Sequence, residues 1–92
     1  MARLIIPTPL RKFTADQAVF ESTGNNVKEV INQLIDEYNG LKQHLLDERG
    51  DIRSFVRIYV GDEDIHALNR EHTTVEANSV VSIIPAIAGG SY

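Results

Sequence analysis

Asn78-Ser79-Val80-Val81-Ser82-Ile83-Ile84-Pro85-Ala86-Ile87-Ala88-Gly89-Gly90-Ser91-Tyr92 is the stretch on which the fold depends. Val80 to Ile84 is dense in β-branched residues and predicts a buried strand, with Val81 and Ile83 on one face and Ser82 and Ile84 on the other. Pro85 lacks an amide donor and suits the exit of a strand. Ala88, Gly89 and Gly90 carry almost no side chain, so a tail built from them fits a slot that larger residues cannot enter. The reading is a domain over residues 1–84 that presents a flexible tail, 85–92.

Upstream, Leu4 to Ile6 is a short apolar run stopped by Pro7 and predicts a first strand. Thr8 to Lys12 reads as a turn, and Ala18 to Glu21 as a second strand. The two pair as a hairpin with a long loop. Ser22 to Asn25 breaks the pattern. Asn26 is placed as a helix N-cap, with Glu29 three positions on as in a capping box. Val27, Val30, Ile31, Leu34, Ile35 and Tyr38 keep the i, i+3, i+4, i+7 rhythm of an amphipathic helix, and Gly40 is its expected stop. Leu41 to Asp47 predicts another helical turn or two, with Leu41, Leu45 and Leu46 tucked beneath the domain. Glu48 to Asp51 reads as a polar loop.

Phe55 to Val60 predicts a third strand, with Val56, Ile58 and Val60 on one face and Phe55, Arg57 and Tyr59 on the other. Gly61 to Asp64 reads as an acidic turn, followed by a short return from Ile65. Leu68 to Glu76 is irregular, with Val75 a candidate for a small bridging strand. The order β-β-α-β-β predicts an α+β domain in which one helix lies across a mixed sheet, with the first and last strands parallel at its centre.

The chain has 92 residues, 42% of them hydrophobic and 24% charged, which fits one folded domain. Its net charge of −4 disfavours nucleic-acid binding through a basic face. With no cysteine it has no disulfide, iron–sulfur cluster or thiol nucleophile. The run at Leu4–Ile6 is too short for a signal peptide, and no stretch reaches the ~20 apolar residues of a membrane span. The expected location is the cytoplasm, with no membrane partner.

His44, His66 and His72 match no zinc spacing, so no metal site is expected. Asp62, Glu63 and Asp64 lack the alternation of a calcium loop and read as a solvated turn that could help a basic partner dock. Ser79, Ser82 and Ser91 have no nucleophile-elbow context, and no glycine-rich loop precedes the helix. No catalytic residue is assigned, and the expectation is a chain that is not an enzyme.

The segment Val80 to Gly90 resembles the C-terminus of the ThiS/MoaD-type ubiquitin-like sulfur carriers. Val56-Arg57-Ile58-Tyr59-Val60-Gly61-Asp62-Glu63-Asp64-Ile65 is similar to the third-strand hairpin of the CysO-like branch of that family, which serves cysteine biosynthesis. The resemblance spans Leu4 to Gly90 and implies a β-grasp, ubiquitin-like fold. It further implies that the Gly90 carboxylate is adenylated by a ubiquitin-activating-type enzyme using ATP, and then becomes a thiocarboxylate. Ala88, Gly89 and Gly90 would thread that enzyme's active site. The carrier binds no cofactor of its own and is a cosubstrate, alone as a monomer or bound to a partner.

Ser91 and Tyr92 follow Gly90, so the resemblance also implies cleavage between Gly90 and Ser91 by a JAMM-type metalloprotease. A cysteine-synthase-like enzyme would accept the sulfur. Ile84, Pro85, Phe55 and Tyr59 are the expected docking patch. Three other readings stand beside this one. They are a carrier for another thio-product (homocysteine, a thioquinolobactin-like metabolite, molybdopterin, thiamine or tRNA), a ubiquitin-like modifier joined through Gly90, and a β-grasp interaction domain with an idle tail.

Overall fold

The computed structural model describes residues 1–53 and 55–85, and for Pro85 the backbone alone. Five strands form one sheet in the order β2-β1-β5-β3-β4. They are β1 (Ala2–Ile5), β2 (Val19–Ser22), β3 (Val56–Val60), β4 (Glu63–Asp64) and β5 (Val80–Pro85). Helix α1 (Val27–Glu37) lies against one face, and a single helical turn, α2 (Lys42–Leu45), follows it. The β-β-α-β-β order and the mixed sheet match the sequence expectation, and β4 adds a fifth, two-residue edge strand.

Strand β5 sits at the centre. It runs parallel to β1, with Leu4 opposite Val81, and antiparallel to β3, with Ile58 opposite Ile83. Strict alternation sends Val81 and Ile83 inward and leaves Ile84 exposed, as the period-2 pattern requires. Pro85 ends the strand opposite Val56, beyond the last β1 pair at Ile5 and Ser82. A residue without an N–H is tolerated there because only one neighbour asks for hydrogen bonds.

Val27, Val30, Ile31, Leu34 and Ile35 of α1 face the sheet and are buried with Leu4, Ile58, Val81 and Ile83 in one core. Asn26 Oδ1 accepts the Glu29 N–H at 2.9 Å, which secures the N-cap. The Glu29 carboxylate returns to the Asn25 N–H at 2.9 Å, one residue earlier than in the standard capping box. Replacing Asn26 with Ala is expected to cost about 1 kcal/mol, measured as a lower urea midpoint at unchanged slope. No change in midpoint would mean that water serves the helix end equally well.

Several boundaries differ from the sequence reading. β1 starts at Ala2 because a buried Ala2 continues the inward alternation, and Ile6 is buried just past the strand. Thr8–Phe13 closes into a 3-10 helix rather than an open turn, started by Pro9 near its N-terminus. α1 ends at Tyr38, with φ −129° and ψ 81°, and Gly40 lies within the 3-10 turn Asn39–Leu41 instead of stopping the helix. A Cβ on Gly40 would stand 3.1 Å from Phe13 Cδ1, so a close approach, not a left-handed stop, favours glycine there. The small bridge forms at Thr74, opposite Asn26, while the adjacent Val75 is buried. The predicted tuck of Leu41, Leu45 and Leu46 holds, since all three are buried.

The Glu48–Asp51 loop is closed by a side chain. Asp47 Oδ1 accepts the N–H groups of Arg49 at 2.9 Å and Asp51 at 3.0 Å. The Asp51 amide foremost, then the Arg49 amide and the nearby Arg49 and Arg53 charges, hold the Asp47 carboxyl below the usual range against some desolvation.

Candidate functional site: the tail strand and the open sheet face

β5 is rigid for a local reason and a tertiary one. Its β-branched side chains restrict rotamers, and its pairs with β1 and β3 occupy both edges. It therefore fixes the position of Pro85, where the described chain ends. The proposed tail residues Ala88, Gly89 and Gly90 and the cleavage partner Ser91 lie outside the described residues, as does the side chain of Pro85.

Around that exit the sheet shows its uncovered face. Ile84 is 50% exposed and lies directly across from Arg57, while Tyr59 lies across from Ser82. Ile84 and Tyr59 are thus diagonal neighbours on one face. Phe55, 41% exposed, precedes β3 at the end where β5 leaves, and the Arg53 guanidinium stands 5.9 Å from its ring centre. Apart from Arg53 beside Phe55, the Leu41–Arg53 segment leaves Phe55 and Ile84 exposed, because its leucines turn into the core. The structure brings Tyr59 and Ile84 together and sets Phe55 at the same end of the sheet.

One cluster on this face was not anticipated from the sequence. Asp64 lies across from Tyr59 in the β3–β4 pair. Its Oδ1 accepts the His66 N–H and meets His66 Nδ1, both at 2.9 Å, and its Oδ2 meets Arg57 Nη1 at 3.2 Å. The sequence reading had divided these three residues among a strand, an acidic turn and a scattered set of histidines. The available signal was Asp64-Ile65-His66 itself, an acid two residues ahead of a donor, as at a helix N-cap.

The His66 amide first, then the His66 ring and Arg57, outweigh desolvation and lower the Asp64 pKa from 3.8 to about 2. A depressed folded-state pKa stabilises the fold fully above the unfolded carboxylate's range. That contribution disappears as pH falls from about 4 through about 2. Asp64→Asn is therefore expected to flatten this part of the acid-unfolding curve, followed by far-UV circular dichroism. An unchanged acid limb would contradict the assignment.

Elsewhere, His44 stacks on Phe13 with ring centres 4.5 Å apart, and His72 closes an exposed 3-10 turn. Among the described residues no group of three or more His, Asp or Glu could hold a metal ion. An open groove of about 630 Å³ between Gly40 and Arg53 has, among the described residues, no nucleophile–base pair along its walls. No helix among the described residues is long and apolar enough to cross a membrane.

The ThiS family profile matches residues 4–90. The sulfur carrier protein CysO of Mycobacterium tuberculosis is 37% identical over 87 residues, which cover 92% of this chain and 94% of that protein. The crystal structure of that organism's CysO aligns with a TM-score of 0.86 at 32% identity, covering 95% of this chain and all of the other. A CysO from Amycolatopsis orientalis, solved in a complex with BexX, aligns with a TM-score of 0.88 at 31% identity over 98% of this chain and all of that one. The small archaeal modifier protein of Methanosarcina acetivorans, at 21% identity and a TM-score of 0.84, has the same fold. By sequence across nearly its whole length and by its ubiquitin-like β-grasp architecture, the chain belongs to the ThiS family.

Proposed function

We propose that this protein is a sulfur carrier, a protein cosubstrate whose working atom is the carbonyl carbon of Gly90. The observation that carries the reading is the 37% identity to a sulfur carrier protein over 87 residues, reaching through β5. Hydrolysis of the Gly90–Ser91 bond by a JAMM-type metalloprotease frees the Gly90 carboxylate. One carboxylate oxygen attacks the α-phosphorus of ATP within a ubiquitin-activating-type enzyme. Pyrophosphate leaves, and an acyl-adenylate forms. Sulfide supplied by a sulfur donor then attacks the acyl carbon, AMP departs, and a thiocarboxylate remains. That sulfur is a nucleophile held on a protein and is handed to an acceptor of the cysteine-synthase kind, so that cysteine is the product.

The domain's share of this chemistry is placement. β5 aims the tail, Ala88 to Gly90 pass through a narrow channel, and the face carrying Tyr59, Ile84 and Phe55 docks the partner. The small tail residues let the backbone approach the nucleotide where a side chain would collide. The pairing of a CysO with BexX in a solved complex supports work through a bound partner. Work in the cytoplasm agrees with dependence on ATP.

Intact-mass spectrometry on protein isolated from its host tests the proposal. The expected species ends at Gly90 and has one oxygen replaced by sulfur. A ladder of conjugates to other proteins would make it a modifier instead. A chain that keeps Ser91 and Tyr92 and never gains sulfur would refute the carrier reading.

A further inference from the structure

From the junction between α1 and the 3-10 turn that follows it, we infer a site of spontaneous modification. The side-chain amide of Asn39 is lost to attack by the backbone nitrogen of Gly40, and the chain converts to aspartyl and isoaspartyl forms at that position. The inference stands apart from the carrier reading.

The reaction needs only the chain and water. The Gly40 nitrogen gives its proton to solvent base and bonds to Asn39 Cγ. The Cγ–Nδ2 bond breaks, ammonia leaves, and a five-membered succinimide ring remains. Water then opens the ring at either carbonyl. One opening leaves an ordinary aspartyl residue. The other leaves an isoaspartyl linkage, in which the backbone runs through Cβ and Cγ and is one atom longer.

The fold sets Asn39 apart from the other five asparagines. Asn32 precedes Gln33 inside α1, where the helix ladder holds the attacking nitrogen. After Asn26 and Asn78 the N–H groups are also taken, Val27 by Thr73 and Ser79 by Glu76, each at 3.0 Å. Asn25 and Asn69 are followed by Asn26 and Arg70, whose side chains crowd the nitrogen. Gly40 has no side chain, and both it and Asn39 are exposed. The ladder of α1 ends with the Tyr38 N–H donating to Leu34 O at 2.8 Å, and the next turn begins with the Leu41 N–H donating to Tyr38 O at 3.0 Å. Gly40 falls in the gap between them. Among the described residues no hydrogen bond holds its N–H or the Asn39 side chain. To reach Cγ, the nitrogen must swing out of the turn, which releases that Leu41 bond and the Lys42 N–H from Asn39 O. Opening one exposed turn costs little beside global unfolding.

Both products act on the end of α1. An aspartyl group there adds a negative charge beside Asp36 and Glu37, at the helix end that already carries the negative pole. Lys42, three residues on, offsets only part of this. The isoaspartyl form strains a contact as well as a charge balance. A Cβ on Gly40 would already stand 3.1 Å from Phe13 Cδ1, and Phe13 in turn stacks on His44 at 4.5 Å. A longer backbone at this point has to displace that pair.

The test incubates the purified full chain in warm, mildly alkaline buffer, natively and unfolded in urea. Trypsin cuts after Lys28 and Lys42, so one peptide carries both Asn32 and Asn39, and tandem mass spectrometry compares them directly. The expected result is a gain of about 1 Da at position 39, with Asn32 unchanged. Isoaspartyl methyltransferase should label the same peptide. The native rate should lie within about tenfold of the unfolded rate, since only two hydrogen bonds open. Asn39→Gln should abolish the gain, because a six-membered ring closes far more slowly. Asn39→Asp should melt about 2–4 °C below the parent.

A native chain that stays unmodified while the urea-unfolded chain converts would overturn the inference, because the fold would then protect the site. Earlier conversion at Asn25 or Asn78 would overturn the choice of residue. Asn39→Asp with the melting temperature of the parent would overturn the effect assigned to the aspartyl form.

Discussion

Gly90→Trp is expected to eliminate thiocarboxylate formation while leaving the folded domain untouched. The reacting carbon must come within about 3–3.5 Å of its attacking partner, and a misplacement of about 1 Å already costs about 100-fold. An indole on the reacting residue displaces it by more than that, so adenylation should fall below detection. The position lies beyond β5, which ends at Pro85, so the melting temperature should shift by no more than a surface substitution allows, about 0.5 kcal/mol in stability. Intact mass after incubation with the adenylating enzyme, ATP and sulfide, together with a thermal melt, reads both halves of this result. Full sulfur loading of Gly90→Trp, or its support of sulfur assimilation in the host, would rule out a threaded tail.

Leu34→Ala is expected to have the largest effect on stability. Leu34 is fully buried on the sheet-facing side of α1, in the core that joins the helix to β1, β3 and β5. Truncation removes buried surface and leaves a cavity, at a cost of about 2–5 kcal/mol. A small domain has only about 5–15 kcal/mol in total, so a large part of the population would unfold near physiological temperature. The melting temperature should fall by at least about 10 °C. A drop of under about 3 °C would mean that the helix does not pack on the sheet through this residue. Carrier activity at low temperature should survive, because Leu34 is remote from the open face.

The parts of the fold that could be read from the sequence are those where one strong local rule acts alone. α1 was legible because six apolar residues keep helical spacing and Asn26 stands before them. β5 was legible because alternation and β-branching agree, and its central place followed from the order of elements. Where tertiary packing overrides local preference, the reading shifted. Gly40 looks like a helix stop, but its backbone serves the approach of Phe13. Ala2 carries no strand signal of its own, and its burial extends β1.

The open sheet face was legible only in part. Ile84 and Tyr59 could be placed by counting alternate residues along two strands. The Arg57–Asp64–His66 cluster could not, because it depends on the register between β3 and β4 and on a 3-10 turn at Ile65–Ala67. Its three members are seven and two residues apart; seven suits a helix face and two a strand face, so the pair of spacings fits no single element. Only the return of the chain after Gly61, with φ +62°, sets them side by side.

The parallel pairing of β1 with β5 has a consequence for biosynthesis. Among the described elements β5 leaves the ribosome after all the others, yet β1 and β3 both need it as a neighbour. Until Val81 can reach Leu4, a nascent chain holds two separate edges and no sheet centre, and that closure across most of the chain is slow. A ribosome that stalls before Val80 releases an incomplete product with its apolar core open, ready for a protease or a chaperone. Translation through the strand that leads to the glycines is thus a precondition for folding, so a chain terminated before β5 cannot occupy a partner as a folded decoy.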